Sequence, residues 1–166
     1  PGSNKKIKTT TGQQIALNII FESGMPCMAS SIEDYKSSPA LPLFKNLPAA
    51  WDDTHFIDGF PGKFMTLARR SGDTWFASSI TNQARDAEIP LDFLDNWRNY
   101  HATIYRDGAD RMDLIVDYQK VTSESVLTIP MSFGGGCTVK ITTEAPNLIR
   151  NITLDKTEAT VVEEEA

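Results

Sequence analysis

The carboxylates of this chain recur at spacings that could support metal binding or acid–base chemistry. Asp107, Asp110 and Asp113 follow one another at every third position, and Asp52 lies next to Asp53. A calcium loop of the EF-hand type needs acidic groups at alternate positions before a glycine and a glutamate further on, an order that the first group lacks. Adjacent residues of an extended chain point to opposite faces, so the second pair is poorly placed to share a site. We interpret the first group as a solvated loop and the pair as a turn or cap before the first strand.

The histidines and the triple glycine also lack the context of a catalytic site. His55 and His101 are isolated in sequence, and neither has a recognisable nucleophile motif beside it. Gly134-Gly135-Gly136 is followed by no Lys-Ser or Lys-Thr pair, and a strand pattern comes next, so it is not a phosphate-binding loop. We interpret it as a flexible lead into the last strand. The sequence therefore predicts no catalytic and no metal-binding residue in this chain.

The tryptophans are the remaining candidates, because aromatic faces can stack on sugar rings. Trp75 begins a strand pattern, which favours a place in the core. Trp97 is flanked by polar residues on both sides (Asp95, Asn96, Arg98 and Asn99), which favours exposure. Trp97 with Tyr100 is therefore the candidate carbohydrate-binding pair, and a core role is the alternative for each aromatic residue.

The charge argues against nucleic-acid binding, and the hydropathy argues against a membrane-spanning helix. The net charge is −6 with a sequence pI near 4.9, and the basic residues are scattered, which argues against nucleic-acid binding. No run approaches the roughly 18 apolar residues that a membrane-spanning helix needs. Cys27 and Cys137 match no metal-ligand spacing, so a disulfide and two buried free thiols both remain open.

The spacing of turn residues predicts a mainly β fold. The segment from Phe64 to Ile80 reads as a hairpin around Ser71-Gly72-Asp73, since alternating and β-branched residues flank the turn. About eight short strands bounded by Gly, Asp, Asn, Ser or Pro indicate an antiparallel β-sandwich. They are 54–58, 62–70, 74–82, 86–89, 100–106, 114–121, 126–130 and 136–142.

Helical patterns precede the strands. A threonine-rich start followed by Ile15, Leu17, Ile19, Ile20 and Phe21 favours a capped helix over 9–21, with a buried strand as the alternative. A short helix over 31–36 and an apolar helical turn with Phe44, Leu47 and Trp51 packed under the sheet follow in an otherwise irregular, proline-rich segment.

The chain divides into four parts on this pattern. We expect a tag remnant and linker over 1–8, a helical segment over 9–52, the β-sandwich over 53–145, and a linker with the start of a further domain over 146–166. The alternating run 151–162 resembles the first strand of a bacterial immunoglobulin-like domain, and we expect it to add to a sheet edge.

Many short motifs occur in an order that resembles the C-terminal part of glycoside hydrolase family 97, the α-glucosidase and α-galactosidase family of gut Bacteroidetes. The resemblance runs from about Thr11 to Thr142. Its motifs are Phe21-Glu22-Ser23, Met28-Ala29, Tyr35, Pro48, Trp51-Asp52-Asp53-Thr54, Asp58-Gly59, Gly62, Ala68-Arg69-Arg70, Gly72, Trp75, Thr81-Asn82, Tyr105-Arg106-Asp107-Gly108 and Gly134-Gly135-Gly136.

The resemblance implies that the chemistry lies outside this chain. In that family an N-terminal β-domain and a (β/α)8 barrel precede a C-terminal β-sandwich, and the helix over 9–21 would be the last helix of the barrel. A barrel needs about 250 residues, so it lies upstream together with the catalytic carboxylates and the calcium-binding glutamates. Glu22 is therefore interpreted as structural. The resemblance also implies a periplasmic or secreted protein, and it leaves retention or inversion at the anomeric carbon open.

Two functions follow as expectations. The first is a non-catalytic sandwich that covers and stabilises its own upstream barrel or a homo-oligomer of the parent enzyme, which would act on α-linked glucosides or galactosides. Without the barrel, an apolar face around Ile15, Ile19 and Phe44 should be exposed and should drive self-association. The alternative is a carbohydrate-binding module that tethers the enzyme to polysaccharide, and a free-standing small enzyme is disfavoured because no paired acid–base or metal group is recognisable.

Overall fold

The computed structural model describes residues 8–23 and 31–145. It contains α1 (Thr11–Ile20), α2 (Ile32–Ser37), α3 (Leu41–Phe44), β1 (Asp53–Phe60), β2 (Phe64–Ser71), β3 (Thr74–Thr81), β4 (Arg85–Pro90), β5 (Tyr100–Asp107), β6 (Leu114–Val121), β7 (Val126–Met131) and β8 (Gly136–Thr142). The eight predicted strands are confirmed, and their observed ends lie within about two residues of the predicted ones. No helix of these described ranges is long and apolar enough to cross a membrane.

The strands form two antiparallel sheets, which confirms the mainly β, sandwich-type fold. Six strands lie in the order β1-β2-β3-β8-β5-β6, and β4 pairs with β7 in a separate two-stranded sheet. The predicted hairpin is β2–β3, whose turn contains Gly72 at a φ of +56°, a conformation that other residues adopt only with strain.

The first core lies between these two sheets. Ala77, Val139 and Ile141 of the large sheet pack with Ile89 of β4 and Ile129 of β7. Burying one such aliphatic side chain contributes about 1.5–3 kcal/mol, so this layer is a main source of stability. Trp75 belongs to the same core, as the sequence predicts.

The second core lies on the opposite face of the large sheet, where helix α1 covers strands β3, β8 and β5. Thr10 caps the helix as expected, because its hydroxyl accepts the backbone N–H of Gln13 at 3.0 Å. Ile15 and Ile19 are fully covered by this packing, and Phe44 is half-buried at its margin. The expectation of an exposed apolar face around these three residues is therefore wrong, since the sheet of this chain already covers it.

The triple glycine is a close-packed joint, and its interpretation as a flexible lead is wrong. Thr10 N–H donates to the carbonyl of Gly134 at 3.0 Å, and Thr81 N–H donates to that of Gly135 at 3.0 Å. A Cβ added to Gly135 would overlap Oδ2 of Asp107 and would lie 2.6 Å from the carbonyl oxygen of Ser132. Glycine is needed here because the N-terminus of α1 and strand β5 approach the backbone too closely for any side chain.

Asp107 is buried in this joint, so its assignment to a solvated loop is also wrong. Its Oδ2 accepts the backbone N–H of Ser132 at 2.9 Å and that of Gly136 at 3.2 Å. Asp110, by contrast, is exposed, as expected. The carboxylate of Asp107 thus ties β5 to the loop that leads into β8.

Cys137 is a free thiol in the first core, where burial raises its pKa to about 12. Cys27 and the predicted strand 151–162 lie outside the described residues, so the edge pairing of that strand stays a prediction.

Candidate functional site

A polar cavity of about 210 Å³ lies where the β2–β3 turn meets the loop between β4 and β5. We call it the Arg98 pocket. It is lined by Arg70, Gly72, Asp73, Trp75, Phe93, Asp95, Arg98 and Tyr100. The residues come from two segments that are distant in sequence, and the fold brings them together at one end of the hairpin.

The loop is held in place by its own apolar residues. Leu91 and Leu94 are buried in the first core, and the N–H of Leu91 donates to the carbonyl of Ser125 at 3.0 Å. Between them, Phe93 packs on Trp75 with ring centroids 4.7 Å apart. This anchoring fixes the direction of the polar residues that follow, Asp95 and Arg98, towards the β2–β3 turn.

The charged groups of the pocket form loose ion pairs. Arg98 Nε lies 3.7 Å from Asp95 Oδ2, and Arg98 Nη1 lies 3.9 Å from Asp73 Oδ1. Both distances exceed the range of a good hydrogen bond. Arg70 is held at the other wall by its turn, since its Nη1 donates to the carbonyl of Gly72 at 3.1 Å.

The two predicted carbohydrate-binding residues differ in their surroundings. Trp97 is exposed, with 72% of its surface accessible, and the guanidinium of Arg98 lies 4.1 Å from its ring centroid. Tyr100 is only 3% accessible, and its hydroxyl accepts the backbone N–H of Asp95 at 3.2 Å. Burial, as the largest cause, raises the pKa of Tyr100. The two rings therefore do not form one exposed stacking face. Tyr100 lines the Arg98 pocket, whereas Trp97 lies outside the lining and contacts it through Arg98, and sugar contact stays a prediction.

The other residues considered for chemistry have structural contacts. Asp52 accepts the backbone N–H of Gly72 at 2.7 Å and so caps the β2–β3 turn, while Asp53 accepts that of Thr54 at 2.8 Å. His55 packs on Phe93 with centroids 5.4 Å apart. Within residues 8–23 and 31–145, no three His, Cys, Asp or Glu side chains come together as a metal site.

Glu22 lies beside a buried arginine at the end of α1. Arg69 Nη1 is 3.7 Å from the largely exposed carboxylate of Glu22, and Arg69 Nη2 donates to the carbonyl of Ile20 at 3.4 Å. A cation at the C-terminal end of a helix is favourable, because the last carbonyls carry partial negative charge. The contact supports the structural interpretation of Glu22.

An apolar cavity of about 480 Å³ lies at the opposite end of the hairpin. Phe56, Phe60, Met65 and Ile80 contribute its apolar side chains, and we call these four the β1–β2 apolar surface. Phe56 is 59% and Phe60 52% accessible, because α1 covers β3, β8 and β5 but leaves the edge strand β1 open. Sequence reasoning missed this surface, since the strand pattern shows an apolar side without showing what covers it.

Two structural neighbours are glycoside hydrolases. A family 97 enzyme from Pseudoalteromonas sp. strain K8, solved with acarbose, superposes with a TM-score of 0.78 at 30% identity, over 84% of this chain and 23% of that one. A β-arabinopyranosidase superposes with a TM-score of 0.68 at 25% identity, over 80% of this chain and 21% of that one.

The sequence relatives are also glycosidases by name. A retaining α-galactosidase of Bacteroides thetaiotaomicron is 32% identical over 138 residues, which are 80% of this chain and 21% of the relative. A probable retaining α-galactosidase of Streptomyces bingchenggensis is 32% identical over 125 residues, 74% of this chain and 19% of the relative. The chain thus spans about a fifth of the length of the curated relatives it matches.

The family model described as "Glycosyl-hydrolase 97 C-terminal, oligomerisation" matches residues 50–142, which include all eight strands and both walls of the Arg98 pocket. The motifs, the fold and the relatives agree, and the chain belongs to glycoside hydrolase family 97, of which it is the C-terminal domain.

Proposed function

We propose that this domain is a non-catalytic accessory domain that stabilises the catalytic barrel of its parent enzyme and joins copies of that enzyme into an oligomer. The observation that carries the proposal is the match of residues 50–142 to a C-terminal, oligomerisation family. The parent would hydrolyse α-linked galactosides or glucosides with retention, because two relatives carry the name of retaining α-galactosidases.

The contacts of the acidic side chains support the accessory role. Several carboxylates of this domain accept backbone N–H groups at turns or strand ends, as Asp52 and Asp107 do, so they have structural partners. We assign the catalytic carboxylates and the calcium ion to the upstream barrel, so the residues of this domain take no part in the chemical steps. A periplasmic or secreted location is part of the proposal and rests on the family resemblance alone.

The β1–β2 apolar surface is the contact we assign to a second copy of this chain. Phe56 and Met65 are exposed on the same face of the sheet as α1, at the β1–β2 edge that the helix does not cover, and a symmetric pair of such surfaces would bury both. Positive charge lies at the rim, where Lys63 Nζ is 4.3 Å from the ring centroid of Phe60. A protein with an uncovered apolar surface of this kind tends to associate.

The experiment is multi-angle light scattering of the purified chain over a wide concentration range. We expect a dimer or larger assembly that is lost in the double variant Phe56→Ser/Met65→Ser. The matched control is Met112→Ser, which removes an exposed methionine in the loop between β5 and β6 and should leave the mass unchanged. A monomer at every concentration would contradict the oligomerisation part of the proposal. Turnover of aryl α-galactosides or α-glucosides by the purified chain would contradict the non-catalytic part.

A second function, carbohydrate binding, is favoured by one specific observation. Trp97 is exposed next to Arg98, which lines a polar pocket. Exposed tryptophan beside planar polar groups is an arrangement suited to sugar rings, since the ring offers an apolar face and the polar groups offer hydrogen bonds. Binding of methyl α-D-galactopyranoside or maltotriose that weakens in Trp97→Ala would support this function.

A further inference from the structure

The charges of the Arg98 pocket balance. Two guanidinium groups, from Arg70 and Arg98, and two carboxylates, from Asp73 and Asp95, line the same cavity. A charged ligand would be attracted by one of these pairs and repelled by the other, and Arg70 is also paired with Asp52 outside the lining at 4.0 Å, so the lining groups attract neither a cation nor an anion strongly. A neutral polar ligand meets no such opposition.

The spacing of these charges leaves hydrogen-bonding capacity for a ligand. Arg98 lies 3.7 Å from Asp95 and 3.9 Å from Asp73, too far for direct hydrogen bonds. A guanidinium can only donate and a carboxylate can only accept, whereas a hydroxyl group does both. A hydroxyl placed between the two groups would therefore accept from Arg98 and donate to an aspartate at the same time.

The size and the aromatic border of the pocket narrow the ligand further. At about 210 Å³ the cavity is smaller than the ~300–1,000 Å³ pockets that hold drug-sized ligands, so it suits one ring. Trp75 and Phe93 supply aromatic walls, and the exposed ring of Trp97 lies against Arg98. A ligand that carries several hydroxyls on one side and C–H groups on the other could bind the charged groups with its hydroxyls and the aromatic rings with its C–H groups.

We propose that the Arg98 pocket binds one ring of a neutral saccharide, with its hydroxyls between Arg98 and the two aspartates and its C–H face on Trp97. The inference rests on the carbohydrate-binding function proposed above and gives that function a site. Trp97 lies outside the lining of the pocket, so this stacking requires the guanidinium of Arg98 to leave the ring face that it now covers at 4.1 Å from the ring centroid.

The experiment is a titration of the ¹⁵N-labelled chain with methyl α-D-galactopyranoside and, separately, with maltotriose, followed by NMR. The chain has three tryptophans, so the indole N–H signal of Trp97 is identified by its loss in Trp97→Ala. We expect this signal to shift on titration, and we expect Trp97→Ala and Arg98→Gln each to weaken binding about tenfold, measured on the backbone signals of Gly72 and Asp73. The matched control is Phe133→Ala, which removes an exposed aromatic ring at the opposite end of the large sheet and should bind like the parent chain.

The outcomes separate the site from the function. If both sugars bind but the Trp97 and Arg98 variants bind equally well, the site is wrong and carbohydrate binding stands. If neither sugar shifts any signal, both the site and the carbohydrate-binding function are overturned, and the oligomerisation proposal is unaffected. Tighter binding of glucuronate or of glucosamine than of the neutral sugars would overturn the argument from charge balance.

Discussion

Replacing Asp107 by asparagine tests whether the joint between β5, the triple glycine and α1 depends on a buried carboxylate. In the structure, Oδ2 accepts two backbone N–H groups, from Ser132 at 2.9 Å and from Gly136 at 3.2 Å. Asparagine keeps the size of the side chain and one acceptor oxygen. It removes the charge and adds an NH₂ group for which Gly12 and Gly135 leave little space, because both glycines lie against the Asp107 oxygens.

The expected loss of stability follows from these two bonds. A hydrogen bond to a charged group contributes about 1.5–3 kcal/mol, and a neutral one contributes about 0.5–1.5 kcal/mol. Weakening two bonds from the first class to the second therefore costs about 2–3 kcal/mol in the free energy of unfolding. For a chain of this size each kcal/mol lowers Tm by roughly 2–4 °C, so we expect a decrease on the order of 4–12 °C.

Urea unfolding followed by tryptophan fluorescence measures the change, because Trp75 is buried in the first core and reports its loss. The matched control is Asp110→Asn, which makes the same substitution at an exposed position in the following loop and should change stability by less than about 0.5 kcal/mol. If Asp107→Asn were as stable as this control, the carboxylate would not be the tie that we infer, and the packing of the glycines alone would hold the joint.

Three further predictions concern this joint and the first core. Gly135→Ala should destabilise the domain by about 1–3 kcal/mol in the same assay, because its Cβ would meet Asp107 and the Ser132 carbonyl; wild-type stability would show that the joint can relax. In a Cys27→Ser background, Cys137 should resist alkylation at pH 8 until urea unfolds the chain, and labelling of the native chain at the unfolded rate would contradict its burial. Because burial raises the pKa of this thiol from 9.0 to about 12, the native state keeps the proton that the unfolded state loses. The stabilisation that comes from the protonated thiol is therefore complete below pH 9 and is lost as the pH rises from 9 to about 12. In Cys137→Ala the free energy of unfolding should therefore decrease less over that pH range than in the parent chain.

The strands were predictable because their signals are local. The run from Thr74 to Ile80 is bounded by a glycine turn before it and an asparagine after it, and both the pattern and the boundaries are read from neighbouring residues. The cap of α1 is local too, since Thr10 serves a backbone group three residues on.

The joint was not predictable, since it depends on contacts between distant residues. Asp107 receives its N–H donors from positions 25 and 29 residues later in the chain. The spacing of the three aspartates favoured a solvated loop, but Asp107 is buried because α1 and the loop before β8 both pack against the end of β5. The same limit explains the wrong expectation for Ile15 and Ile19, because an apolar helix face does not reveal which partner covers it.

The candidate site was predicted in part. The polar neighbours of Trp97 indicated its exposure correctly, because polar residues in a loop keep it at the surface. Tyr100 follows the same polar run, yet it is the first residue of β5 and points into the first core. Asp73 and Arg98 meet because the β2–β3 turn lies beside the loop before β5, which is information that the pairing of strands supplies and the sequence alone does not.

The two proposed surfaces lie at opposite ends of the same hairpin, so the fold allows both to be used at once. The β1–β2 apolar surface surrounds the Phe64 end of β2, and the Arg98 pocket lies at its Ser71 end. The strand has eight residues, so its two ends are seven steps apart, which is roughly 24 Å at about 3.4 Å per residue. A second copy seated on the first surface would therefore leave the pocket open to a saccharide. For the same reason, the Phe56/Met65 variant serves as a fold control for sugar binding, and the Trp97 variant serves as a fold control for oligomerisation.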